Sequence, residues 1–150
     1  MKNLIIIVIV FCISACSPDP VSQTLTKADI LSQFQTNELI YLKLRSMLLE
    51  DLNSSTVIEI YDDHVLSGDI TEERSEEYFN LLKSIPSKRA SVIKREDNTV
   101  EVEFVIFSSG FVFAGCSTTL TDYNPTKPYW ADEYSKIKVK DEWYAATVCG

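Results

Sequence analysis

The chain has 150 residues, of which 45% are hydrophobic and 24% are charged, and its formal net charge is -8. This length suits one domain with its own hydrophobic core. The acidic charge argues against a nucleic-acid-binding protein and against broad adhesion to anionic lipid headgroups, because both functions need clustered Lys and Arg.

The first sixteen residues have the features of an export leader. Lys2 gives a positive start, and an apolar run follows over residues 4–13. About ten apolar residues are too few to cross a bilayer as a helix, which takes roughly 20, so the pattern predicts a cleaved signal. The stretch Ile13, Ser14, Ala15 and Cys16 resembles the lipobox of bacterial lipoproteins. That resemblance implies cleavage before Cys16 and lipid on its thiol; an ordinary secretory signal is the alternative.

The resemblance also implies a location. Acyl chains on Cys16 would hold the protein to a lipid bilayer, each buried CH₂ contributing about 0.8 kcal/mol. Ser17, rather than Asp, follows the cysteine, as in outer-membrane lipoproteins of Gram-negative bacteria. We therefore expect a protein anchored in the cell envelope, at the outer membrane facing the periplasm if the source is Gram-negative. The expected organisation is a signal peptide over 1–15, a lipidated cysteine and flexible tether over 16–25, and a single domain over 26–150.

Two further cysteines remain in the exported chain, Cys116 and Cys149. Export places them in an oxidising compartment, where paired thiols tend to form a bridge. A reactive Cys116 is less well supported, because the sequence offers neither a nearby His nor a CxxC spacing. The sequence predicts a disulfide between Cys116 and Cys149.

Two amphipathic helices are predicted before the β-rich part. Thr26 followed by Asp29 is typical of a helix start, and the apolar spacing predicts a helix over about 27–52. Its apolar face is wide, which indicates a helix lying across a sheet; the face includes Ile30, Leu31, Phe34, Ile40, Tyr41, Leu42, Leu44, Met47, Leu48 and Leu52. Thr71 is expected to cap a second, shorter helix that ends before Pro86.

Alternating apolar residues predict strands after residue 91. This period occurs in five segments, 92–95, 99–107, 111–119, 136–140 and 143–149. Residues 57–61 are predicted to form an earlier strand, followed by a loop at 62–68. In the segment 99–107, Val102 and Phe104 point one way while Glu101 and Glu103 point the other. The predicted fold class is α+β, with one long N-terminal helix and a second shorter helix packed on an antiparallel β-meander.

Few residues suggest catalysis. His64 follows Asp62 and Asp63, so a metal site or an acid/base pair is one hypothesis, but three consecutive residues cannot easily surround one ion. A polar loop with a solvated histidine is the favoured interpretation. The sequence has no Gly-x-Ser-x-Gly motif and no phosphate-binding glycine loop. No residue is assigned to catalysis, to a metal or to a cofactor.

The segment 121–134 has the strongest features of a binding site. It is long for a loop and interleaves prolines with aromatic residues, namely Tyr123, Tyr129, Trp130 and Tyr134. Tyr and Trp often carry the binding energy at protein interfaces, and prolines reduce the entropy lost on binding. The alternative is that these rings cover a sheet edge and complete the core.

Two classes of function therefore remain. The first is a noncatalytic module, such as an immunity or inhibitor protein, whose acidic surface would suit a basic exported protein partner. The second is a structural or assembly lipoprotein of the envelope. A hydrolase is a distant alternative.

Overall fold

The computed structural model describes residues 25–52, 55–109, 115–129 and 131–150. The elements run along the chain as α1 (Lys27–Asp51), β1 (Val57–Tyr61), β2 (Val65–Ser67), α2 (Glu72–Lys83), β3 (Arg89–Lys94), β4 (Val100–Ser109), β5 (Cys116–Thr121), β6 (Glu133–Lys140) and β7 (Trp143–Cys149). All strand pairs are antiparallel, which confirms the predicted α+β class. The lipidation site predicted at Cys16 lies outside the described residues.

The long helix α1 begins where its sequence predicts. The Thr26 hydroxyl accepts a hydrogen bond from the Asp29 backbone N–H at 3.2 Å, and the Asp29 carboxylate accepts one from the Thr26 N–H at 3.0 Å. These two bonds satisfy N–H groups that have no partner inside the helix. The Thr26 hydroxyl and the Thr26 N–H both donate to the Asp29 carboxylate, which lowers the pKa of Asp29. The apolar face of α1 is narrower than predicted, because Leu42 is 41% exposed.

The second helix, α2, is capped by Thr71, whose hydroxyl accepts from the Arg74 N–H. The Arg74 guanidinium donates to Asp51 at 2.8 Å and to Glu50 at 3.2 Å, both in the last turn of α1. One side chain therefore joins the start of α2 to the end of α1.

The seven-stranded sheet has the order β2-β1-β3-β4-β5-β7-β6. Strands β3, β4 and β5 form the predicted meander, but β7 lies between β5 and β6, so the whole sheet is not a simple meander. Residues 65–67 form a short strand within the segment predicted as a loop, and β6 begins at Glu133, before the predicted residue 136. These differences arise because strands pair with segments that are distant in sequence. The alternation of apolar residues within a strand does not specify which strand lies beside it.

The core lies between α1 and one face of the sheet. Phe34 packs against Trp143 with ring centroids 5.6 Å apart, and Tyr41 packs edge-on against Phe104 at 5.2 Å. Val102 is fully buried beside Phe104, as the alternation predicts. We call this the inner face; Glu101 and Glu103 lie on the opposite, outer face.

The predicted disulfide is present. Cys116 and Cys149 are opposite each other in the register of β5 and β7, with Cα atoms 4.2 Å apart, and their sulfurs are bonded. The bridge therefore joins two neighbouring strands. In the part of the chain that the structure describes, neither helix is both long and apolar enough to span a membrane.

Candidate functional site

The aromatic loop, residues 122–132, connects β5 to β6, and its first residues are tied to the fold. The Asp122 carboxylate accepts from the backbone N–H of Val102 at 2.9 Å and from the Arg45 guanidinium of α1 at 2.6 Å. The Asp122 side chain is only 4% exposed, whereas the Arg45 side chain is 33% exposed, so the carboxylate is the shielded partner of this ion pair. The loop thus begins at a fixed point between helix and sheet.

Tyr123 anchors the loop to the outer face. Its hydroxyl donates to the carboxylate of Glu103 on β4, and its backbone carbonyl accepts from the Thr121 hydroxyl at 2.8 Å. Burial of the ring and the neighbouring Glu103 carboxylate raise the pKa of Tyr123 above its ordinary range. The phenol therefore stays protonated and remains a donor at neutral pH.

Two side chains of β6 hold the middle of the loop. The Tyr134 hydroxyl donates to the Pro125 carbonyl at 2.8 Å, and the Lys136 ammonium donates to the same carbonyl at 3.0 Å. Lys136 also donates to the Asn124 side-chain oxygen at 2.6 Å. Pro125 itself is buried. The loop is consequently braced against the sheet at its centre.

The returning part of the loop is also hydrogen-bonded. The Ala131 N–H donates to the Pro128 carbonyl at 3.2 Å, and the Lys127 ammonium donates to the Asp132 carbonyl at 3.1 Å. The Asp132 N–H in turn donates to the Cys149 carbonyl at 2.9 Å. We call the part of the loop around Tyr129, which lies between these fixed points, the tip of the loop.

The tip presents one aromatic ring to water. Tyr129 is 100% exposed, whereas Tyr123 and Tyr134 are half-buried with both hydroxyls bonded to the chain itself. Trp130 lies outside the described residues. The three aromatic residues of the loop that the structure describes therefore have different positions: Tyr123 and Tyr134 hold the loop, and Tyr129 projects from it.

The second candidate, around His64, does not form a metal-binding set. His64 Nδ1 lies 2.6 Å from the Asp63 carboxylate, and its ring stacks on Tyr61 with centroids 4.6 Å apart. Asp62 instead accepts from Lys88 at 2.8 Å. Throughout the described ranges, no group of three His, Cys, Asp or Glu side chains is placed to hold a metal ion.

A cavity of about 560 Å³ opens between the end of α1 and the β3–β4 hairpin. Its described lining consists of Leu49, Leu52, Ser55, Thr56, Lys94, Asn98 and Val100. These described residues include no carboxylate, imidazole or thiol.

Sequence reasoning missed the two residues that fix the start of the loop. Arg45 is 77 positions from Asp122, and Glu103 is 20 positions from Tyr123. The alternation of β4 already places Glu103 on the outer face, so it could have indicated a polar partner there. The pairing of Arg45 has no comparable local signal.

Comparison of this chain with protein-family models, with curated proteins and with solved structures finds no match.

Proposed function

We propose that this protein is a membrane-anchored, noncatalytic protein-binding module, and that the tip of the aromatic loop is its contact surface. The observation that carries the proposal is the full exposure of Tyr129 on a loop fixed at its start, centre and return. Single exposed aromatic rings are common on protein surfaces, but Tyr129 lies on a loop that hydrogen bonds hold in place.

The bracing matters because binding orders flexible groups at a cost. Each immobilised side chain costs about 0.5–1.5 kcal/mol, and a loop that is already fixed avoids much of this loss. Tyr adds a large contact area with few rotatable bonds, which makes it a frequent hot-spot residue. The hydrogen bonds of Tyr134 and Lys136 would therefore favour binding by fixing the loop before a partner arrives.

The charge of the chain supports a basic partner. Removal of residues 1–15 takes away one lysine and no acidic residue, which leaves a net charge of -9. In physiological salt, such a charge would attract a basic exported protein that comes within a Debye length of about 8 Å. An acidic surface of this kind would suit an immunity or inhibitor protein that neutralises a basic toxin or hydrolase.

The anchor is proposed on the leader motif. Lipid on Cys16 would keep the module in the cell envelope, at the outer membrane facing the periplasm in a Gram-negative cell. Restriction to the membrane raises the local concentration of the module where a partner arrives.

The test is capture with full-length protein purified in nonionic detergent and exposed to envelope extract and culture medium. The baits are the unchanged protein, Tyr129→Ala, and Leu66→Ala as a control, since Leu66 is a large apolar residue 61% exposed on β2. Circular dichroism first shows that all three baits are folded. We expect one partner to be retained by the unchanged bait and Leu66→Ala but lost from Tyr129→Ala.

The identity of the retained partner separates the two function classes. A basic exported protein supports an immunity or inhibitor role, whereas a cell-wall or outer-membrane component supports an envelope assembly role. Equal retention by all three baits, or by none, would remove the aromatic loop as the binding surface.

A further inference from the structure

The strand β6 is an open edge of the sheet. It is eight residues long, pairs only with β7 and is the last strand in the sheet order, whereas β2 at the other edge has only three residues. Among the described residues, no backbone hydrogen bond reaches β6 from outside its own hairpin. An edge strand of this kind leaves a row of N–H and C=O groups that another strand can use.

The edge is basic, although the protein is acidic. Lys136, Lys138 and Lys140 lie in β6 beside a single acidic residue, Glu133. Lys136 braces the aromatic loop and Lys140 pairs with Glu38 of α1, while the exposed Lys138 ammonium has no hydrogen-bond or ion-pair partner in the described ranges. Lys138 is therefore free to meet an incoming negative charge.

We propose that β6 binds an extended segment of the partner protein as an additional strand, and that acidic and apolar residues alternate in this segment. Ile137 and Val139 pack against the core on the inner face, so residues opposite them should be apolar. Lys136 and Lys138 lie on the outer face, so residues opposite them should be acidic. This inference rests on the proposed binding function, because Tyr134 and Lys136 join the edge to the loop that carries Tyr129.

A second copy of the chain fits this edge poorly. Antiparallel pairing of two β6 strands would bring their lysines together, and like charges in such positions are destabilising. The same lysines that block self-pairing favour an acidic strand, which is how an edge can reject one partner and accept another. A partner with a net positive charge can still contribute an acidic strand. The charges on that strand interact mainly with groups within a Debye length of about 8–10 Å, not with the whole protein.

The experiment uses full-length protein in nonionic detergent and a dye-labelled peptide of the same length as β6, in which glutamate alternates with valine. Fluorescence anisotropy measures its Kd at low ionic strength for the unchanged protein, Lys138→Glu and Lys94→Glu. Lys94→Glu is the matched control, since Lys94 is an exposed lysine at the end of β3, away from the sheet edge. A peptide in which lysine alternates with valine tests the sign of the charge.

We expect saturable binding of the acidic peptide that Lys138→Glu weakens about tenfold, while Lys94→Glu changes it by less than about twofold. Lys138→Glu should not weaken binding of the lysine peptide to the acidic protein. The inference is overturned if the acidic peptide does not bind, if Lys138→Glu weakens binding of both peptides equally, or if Lys138→Glu and Lys94→Glu weaken binding of the acidic peptide equally. Failure of the peptide leaves the Tyr129 capture experiment unaffected, and failure of the capture experiment leaves the peptide result standing, so the two proposals can fail separately.

Discussion

Tyr41 and Tyr78 are both buried tyrosines, and they differ in what their hydroxyl groups contact. The Tyr78 hydroxyl donates to the Asp51 carboxylate at 2.8 Å. The Tyr41 hydroxyl is buried and has no hydrogen-bond partner among the described residues. Burial raises the pKa of both phenols above the ordinary range, so both remain protonated. A buried donor without an acceptor costs stability, whereas a satisfied one contributes to it.

Removal of the two hydroxyl groups should therefore affect the free energy of unfolding differently. We expect Tyr41→Phe to leave the free energy of unfolding unchanged or to raise it by about 1 kcal/mol. Tyr78→Phe should lower it by about 1.5 kcal/mol, because Asp51 loses a donor. Urea unfolding followed by circular dichroism measures both values. A loss in Tyr41→Phe as large as that in Tyr78→Phe would show that the Tyr41 hydroxyl has a stabilising partner.

Residue-scale prediction from the sequence succeeded where the signal was local. Thr26 and Asp29 are three positions apart and form the predicted capping pair, and the cysteines form the predicted bridge. The sequence predicts one common role for Tyr123, Tyr129, Trp130 and Tyr134, because these four aromatic residues share one segment. Their different positions depend on Glu103 and Pro125, which no local pattern connects to them.

At the scale of elements, Arg74 links the two helices. It donates to Asp51 of α1 and to Glu77 of its own helix, and its guanidinium lies 5.6 Å from the centre of the Tyr78 ring. The hydrogen bond to the Asp51 carboxylate stabilises the protonated guanidinium, which raises the pKa of Arg74. The half-buried Arg74 side chain therefore contacts α1, its own helix and an aromatic ring.

We expect Arg74→Ala to lower the free energy of unfolding by about 2 kcal/mol, because several charge-assisted hydrogen bonds are lost together and Asp51 loses its cation. Lys43→Ala is the matched control. It removes an exposed ion pair with Glu77, and such pairs contribute little. Urea unfolding of both variants checks this, and equal losses would contradict a special role for Arg74.

The disulfide joins elements that are neighbours in space but 33 residues apart in sequence. In the chain-entropy model, a loop of this size restricts the unfolded chain by about 4 kcal/mol. Replacement of both cysteines, Cys116→Ser with Cys149→Ser, should lower the free energy of unfolding by about 2–4 kcal/mol. The same loss is expected when the unchanged protein is unfolded in reductant, and no loss in either case would contradict the prediction.

At the scale of elements, the strand order of the sheet could not be predicted from the sequence. The alternation and turn residues predicted β3, β4 and the β6–β7 hairpin, because each signal lies within a few residues. The insertion of β7 beside β5 depends on long-range pairing, which alternation leaves undetermined. The aromatic loop crosses the outer face because of this order.

At the scale of the whole molecule, the first prediction concerns the anchor. We expect protein extracted from membranes to begin at Cys16 and to carry the mass of attached acyl chains. Intact-mass analysis after detergent extraction measures this. A soluble protein, or an unmodified chain that begins before Cys16, would contradict the lipoprotein interpretation.

The net charge follows from the composition, and the leader stays a prediction from a short motif; neither depends on the fold. The sequence alone limits the proposed contact surface to a segment of 14 residues, 121–134. Among the described residues of this segment, the structure distinguishes those that hold the loop from Tyr129, which projects from it. The capture experiment identifies the partner itself.

The measurement that tests the central claim most directly is the Kd of the captured partner, titrated by calorimetry against the unchanged protein, Tyr129→Ala and Leu66→Ala. If Tyr129 is the hot spot of the interface, Tyr129→Ala should weaken binding by about 30-fold or more, and Leu66→Ala by less than about twofold. Equal affinities for all three proteins would contradict the assignment of the aromatic loop as the binding surface.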